Sequence, residues 1–200
     1  MLKTSVSNMP AIIAELQKAL REFTAENHIT IGIHEEAGNV ESGTITMAGL
    51  GAVHEFGADI DHPGGTSYGY ATQKAAEQGQ VRFLAKGQGF MELGVTGPHK
   101  INIPARPWLV PGVQSGNVEY LKIISDGIAD GKTPDELLNT LGVVAVAKVQ
   151  KYMNDLKTPP NAPSTIAKKG SSNPLIDTGA LKQSVTYKVS GGGTPTEGIG

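Results

Sequence analysis

The chain has 200 residues, a formal net charge of −2, 18% charged residues, 5% aromatic residues and no cysteine. Without cysteine there is no disulfide framework and no thiolate metal site, and a near-neutral balance argues against a general nucleic-acid binder. No apolar run reaches the roughly 20 residues of a membrane span and the N-terminus has no long apolar leader core, so a soluble protein made in the cytoplasm is expected.

The length fits a single domain, 1–200, with one long excursion. Twenty-six glycines and 12 prolines point to much turn and loop around a lean core. Such a chain gains stability from neighbours.

Residues 10–26 read as an amphipathic helix. Ile12, Ile13, Leu16, Leu20 and Phe23 recur at helical spacing, with Glu15, Lys18, Arg21 and Glu22 mostly opposite. Ile29, Ile31 and Ile33 then alternate with Thr30, Gly32 and His34, the period of a half-buried strand. Residues 37–43 form a turn-rich connection, and 44–47 a second short strand. Residues 50–56 read as a short helix closed by Gly57.

Residues 58–104 are a glycine-rich insertion. Segments 80–85 and 90–95 read as two strands joined by a turn at Lys86-Gly87-Gln88-Gly89. The expectation is a long hairpin arm with flanking loops, projecting from the core. Tyr68, Tyr70, Phe83 and Phe90 give it apolar surface that it does not bury alone. Pro104 and Pro107 then hold 101–109 extended, with Trp108 and Leu109 anchored in the core. A helix follows, with Val118, Leu121, Ile124 and Ile128 on one face.

Residues 133–156 carry the clearest pattern. Thr133 and Glu136 form a capping box and Pro134 takes the first helical position. Leu138, Leu141, Ala145, Val149, Tyr152 and Leu156 make an apolar stripe that Pro159 and Pro160 end. Residues 158–176 read as a flexible, polar interaction loop. Asp177 accepts nearby backbone amides and Gly179 relieves a tight turn. Val185, Tyr187 and Val189 alternate as a strand, and 190–200 form a flexible tail. The fold class is α+β: a small mixed or antiparallel sheet packed by about three helices.

Charge is unevenly placed. Residues 148–188 hold seven lysines against two aspartates, so +5, which leaves −7 for the remainder. Two readings stand: solvated charges clustered by chance, or a subunit with a basic end and an acidic end, suited to a stack of rings whose unlike faces meet.

The chemistry-bearing residues are sparse. His54-Glu55 opens like a zincin motif, but Ala58 stands where the second histidine belongs. His54, Asp59, Asp61 and His62 are ligand types close in sequence, at no standard metal spacing. A metal-dependent hydrolase using His54, Asp59 and His62 is the alternative from another functional class. Gly-x-Ser-x-Gly does not occur. Asp177-Thr178-Gly179 copies the aspartic-protease tripeptide once, beside residues that do not suit that fold. Gly87-Gln88-Gly89 lacks the next glycine of a dinucleotide fingerprint, since Glu92 stands there. Lys168-Lys169-Gly170 is a basic loop able to touch phosphate, too short to be a nucleic-acid module. The expectation is no enzyme, no cofactor and no metal.

Three segments, in order, carry a resemblance. They are Val53-His54-Glu55-Phe56-Gly57, Ile103-Pro104-Ala105-Arg106-Pro107-Trp108-Leu109, and Pro174-Leu175-Ile176-Asp177-Thr178-Gly179-Ala180-Leu181 followed by Ser184 and Val185. Together they resemble the tail-completion and head–tail joining (neck) proteins of tailed bacteriophages, the group that includes minor tail proteins. The likeness runs over about residues 51–189. It implies an α+β virion structural protein without enzyme activity. It further implies a ring at the neck, expected as a hexamer, between tail tube and head connector. DNA would pass through its lumen, and the subunit would sit in host cytoplasm before assembly. A tail terminator or a transient tail-assembly factor is the alternative in the same particle. The residues expected at contacts are Tyr68, Tyr70, Phe83, Phe90, Arg106, Lys168, Lys169 and Asp177, with Arg106 expected to pair with a carboxylate or a carbonyl.

Overall fold

A computed structural model describes residues 27–40, 45–190 and 196–198. The helix expected at 10–26 lies outside the described residues, as do 191–195 and 199–200 of the expected tail. The class is α+β, with small antiparallel sheets beside helices. The chain divides into two compact units, one formed by residues 57–104 and one by the segments on either side.

The first unit is a three-stranded antiparallel sheet and a long helix. Strand β1 (His28–Gly32) pairs along its length with β7 (Thr186–Ser190), from His28 opposite Ser190 to Gly32 opposite Thr186. The other edge of β7 pairs with β8 (Thr196–Gly198). Alternation puts Tyr187 and Val189 inward, next to buried Val185. Helix α1 (Met47–Phe56) starts three residues earlier than the pattern predicts. Thr46 makes only an isolated bridge with Asn39, so no second strand forms there among the described residues. Gly57, at φ 76, turns the chain out of α1.

After the second unit, Trp108 leads into α3 (Leu109–Gln114) and then α4 (Asn117–Ala129). Helix α5 (Pro134–Asp155) has the expected capping box: Thr133 Oγ1 accepts from the Glu136 amide, and the Glu136 carboxylate accepts from the Thr133 amide. Its buried side includes Leu137, Leu138, Ala145, Val146, Val149 and Met153. Trp108, Leu175, Leu181 and the β7 residues complete that core. A Cβ on Gly112 of α3 would lie 2.9 Å from the Val149 backbone, so the close seating of α3 on α5 requires glycine there.

Helix α4 corrects an expectation. Ile124 and Ile128 are half-buried, but Val118 and Leu121 are 85% and 69% exposed, so the first half of the predicted apolar face is not packed. The packed side carries Gly127, where an added Cβ would overlap Leu137, and Glu119 is ion-paired with Lys148 of α5 at 2.6 Å. The close approach of Leu137 at Gly127 fixes the packed end of α4 and leaves Val118 and Leu121 at its start outside the contact.

Residues 158–176, expected as a polar loop, carry helix α6 (Pro163–Lys169). Buried Asn161 and Asn173 flank it, and the Asn161 amide donates to the Asn173 carbonyl at 3.2 Å. A short helix α7 (Ala180–Gln183) precedes β7.

In the second unit, β2 (Ala58–His62) pairs antiparallel with β6 (His99–Ile103). Between them β3 (Ser67–Tyr70), helix α2 (Gln73–Glu77), β4 (Arg82–Phe83) and β5 (Met91–Val95) follow in sequence. The expected hairpin of 80–85 on 90–95 is not formed. Both strands pair with β3 instead, from opposite sides, in the order β4–β3–β5. The turn at Lys86–Gly89 is present, with the Gln88 amide on the Ala85 carbonyl. It carries the chain across β3 because buried Leu84 packs under Gly89 and Gly69 lets the Met91 carbonyl come close.

Candidate functional site

The parts of the three motif segments that lie in the first unit come together there. Glu55, on α1, is buried, and its carboxylate accepts from the amides of Trp108 at 2.6 Å, Leu109 at 2.8 Å and Val110 at 3.4 Å. These are donors at the start of α3 that the helix itself leaves unpaired, and a negative charge there also meets the positive end of the helix dipole. Trp108 Nε1 donates back to the Gly51 carbonyl at 3.0 Å, and the Arg106 amide donates to the His54 carbonyl at 2.7 Å. Three of these hydrogen bonds join the first and second segments directly, and those of Gly51 and Val110 flank them.

Arg106 ties in the third region. It is 7% exposed, and its Nε and Nη2 donate to the carbonyls of Pro159 and Pro160 at 2.9 and 3.2 Å. A rigid guanidinium fork suits two neighbouring carbonyl oxygens. Burial pushes its pKa down from the ordinary value. Asn173 then acts as a hub. Its Nδ2 donates to the Met153 and Asn154 carbonyls, and its Oδ1 accepts from the Leu175 and Ile176 amides at 2.9 and 3.0 Å. Leu181, from the last segment, is buried in the same core as Trp108.

A cleft of about 430 Å³ opens beside this junction, lined by Met47, Leu50, His54, Lys169, Leu175 and Asp177 among others. His54 is half-buried, and its Nδ1 is enclosed without a hydrogen-bond partner. Burial chiefly, then the charges of Arg106 and Lys169, hold its pKa below 6.5. Lys169 Nζ donates to the Asn173 carbonyl at 2.8 Å. Burial lowers its pKa, Asp177 opposes that, and Arg106 adds to it. The cleft therefore holds a neutral imidazole, an ammonium and a carboxylate against an apolar wall. Thr165 and Thr178 also line it, but the Thr178 hydroxyl is occupied by the Ala180 amide at 3.3 Å. Of these groups Lys169 holds a chain segment, through its bond to the Asn173 carbonyl.

The other expected site residues are dispersed. Phe83 and Phe90 are exposed in the second unit, Tyr68 and Tyr70 half-buried there, and Asp177 is exposed in the first. Lys168 lies in α6. The suggested metal set is not assembled. Strand alternation puts Asp59 and Asp61 on one face of β2 and His62 on the other. Asp59 accepts from Asn102 Nδ2 at 2.8 Å, Asp61 pairs with Lys100 at 3.5 Å, and His62 Nδ1 accepts from the Gly64 amide at 3.0 Å. Among the described residues no three histidines or carboxylates gather as a metal site.

Sequence reasoning missed Glu55 as the α3 cap and Asn173 as a hub. The second had a local signal, since Asn before Pro174 is a turn-initiating pair. The first had none, because its partners are more than fifty positions away. Comparison with family models, curated proteins and solved structures finds no match. Among the described residues no helix is long and apolar enough to cross a membrane.

Proposed function

We propose that the chain is a structural subunit of a tailed-phage neck, assembling with copies of itself into a ring that completes the tail and joins it to the head connector. The observation that carries this reading is the apolar surface of residues 57–104. Phe83, Met91, Leu93 and Val95, on the strands of a small sheet, and Phe90, just before β5, are each between 46% and 69% exposed. Phe83 and Met91 stand on one face of the sheet, opposite Tyr68 and Tyr70, and exposed apolar surface gathered in this way marks contact sites. The use of the motif side chains agrees with it. Glu55 and Arg106 hold backbone in place and Asn173 links three segments, so the resemblance rests on residues that build a scaffold.

The test is assembly. Light scattering and negative-stain microscopy of the purified chain are expected to show a ring, and mass spectrometry is expected to find the chain in purified particles. A protein that stays monomeric at every concentration and is missing from particles ends the proposal.

A further inference from the structure

We infer that neighbouring copies join head to tail through the two free edges of the β4–β3–β5 sheet, with the β5 edge of one copy against the β4 edge of the next. This rests on the ring reading and names the contact that makes the ring.

The sheet ends in β4 on one side and β5 on the other. Each outer edge presents backbone N–H and C=O groups that no described strand pairs, the feature by which sheets add strands. The side chains along both edges are exposed: Arg82 and Phe83 on β4, and Met91, Glu92, Leu93 and Val95 on β5. Proteins protect such edges when they are meant to stay single. Strand β4 is only two residues long and the β3–β5 ladder has a bulge at Tyr68/Gly69, which shorten the edges, but neither a proline nor a lysine lies within β4 or β5 to block a further strand.

Charge selects the partner. Arg82 and Glu92 both stand opposite Gly69 of the central strand, so they share one face of the sheet at its two opposite edges. Within one copy they are two strand spacings apart, about 10 Å, and among the described residues they form no ion pair. If the sheet continues into the next copy, Glu92 comes to lie one spacing, about 4.8 Å, from its neighbour's Arg82. Pairing β5 with β5, or β4 with β4, forms no such acid–base pair, and in the register centred on Glu92 or Arg82 it sets like charges opposite. Like charges directly opposite are destabilising in a sheet.

Both edge strands run antiparallel to β3, so they run in the same direction. A rotation axis along the strands keeps that sense, and β5 meets the next β4 in parallel. The joint brings exposed Phe83 of one copy beside Met91 and Leu93 of the other. Unlike edges make a heterologous contact, which closes into a ring when the rotation closes.

The experiment compares R82E, E92R, the double variant R82E/E92R and an equimolar mixture of the two single variants, all in the full chain, by sedimentation velocity. Both positions are exposed, so circular dichroism of each variant is expected to match the parent. Each single substitution alone is expected to weaken association about tenfold per contact. The double variant is expected to restore it. So is the mixture, since alternating copies give every junction one acid and one base. Loss of assembly in one single variant with none in the other overturns the head-to-tail pairing. Assembly unchanged in all variants overturns the edge contact and leaves the ring standing. A parent chain that never assembles overturns the ring itself.

Discussion

Glu55 is the side chain whose removal reports most directly on the junction. Replacing it with alanine takes the acceptor from the Trp108 amide, in a residue only 3% exposed, and from the half-buried Leu109 amide. The Val110 contact at 3.4 Å is long and contributes little. A buried amide left unpaired costs about 1–3 kcal/mol, and the lost charge at the α3 N-terminus about 0.3–1 kcal/mol. With the partly wet second amide the total is about 2–4 kcal/mol. Glu55→Gln keeps an acceptor oxygen and loses the charge. Charged acceptors are roughly twice as strong as neutral ones, so it should cost about 1–2 kcal/mol. Trp108 is the only tryptophan and is buried, so its fluorescence follows the unfolding of the unit that contains the site. With a urea slope of about 2 kcal/mol/M, the alanine variant should lose about 1–2 M in midpoint and the glutamine variant about half that. An alanine variant within about 0.5 kcal/mol of the parent would refute the cap, since surface changes without such a role fall in that range.

Gly142→Ala sets two effects against each other. Alanine favours the helix by about 1 kcal/mol, but its Cβ would overlap the ring of Tyr187, which is buried and donates to Asn139 Oδ1 at 3.2 Å. Overpacking costs about 1–3 kcal/mol, so net destabilisation of about 1 kcal/mol is expected; a gain in urea midpoint would contradict the close packing of α5 on β7. His54 sets a pH dependence. Its folded pKa lies below 6.5, so the unfolded chain binds the proton more readily. The stability it supports is complete above about 6.5 and is lost as pH falls through the folded value. Glu36 and Glu136 have pKa values lowered from 4.5 by their hydrogen bonds, to Lys188 and Thr133 respectively, so their losses come at lower pH. His54→Asn should flatten the slope of urea midpoint with pH between about 7 and 5; an unchanged slope would show that another group sets it.

The long helix was readable because each of its signals is local. Thr133, Pro134 and Glu136 sit within four positions, and Pro159 and Pro160 follow its end. Strands β1 and β7 were readable by alternation for the same reason. The glycine-rich composition of 58–104 was readable in the sequence; the second unit spans residues 57–104. The candidate site was legible only in part. Arg106 was expected to meet a carboxylate or a carbonyl and meets two carbonyls, but nothing near it in sequence names Pro159 and Pro160. The hairpin failed because a turn at Lys86–Gly89 states that the chain reverses. It does not state which strand the returning chain will find.

Amino-acid order alone therefore determined the elements whose causes lie within a few residues: caps, turns, periodicities and the glycine-rich insertion. Tertiary structure decided what spans the chain. It chose the pairing of β1 with β7 across about 150 positions, the seating of β4 and β5 on either side of β3, the rotation of α4, and the placing of Glu55 beneath α3. Those choices come from close packing and from buried polar groups finding partners, and both depend on which distant surfaces fit together.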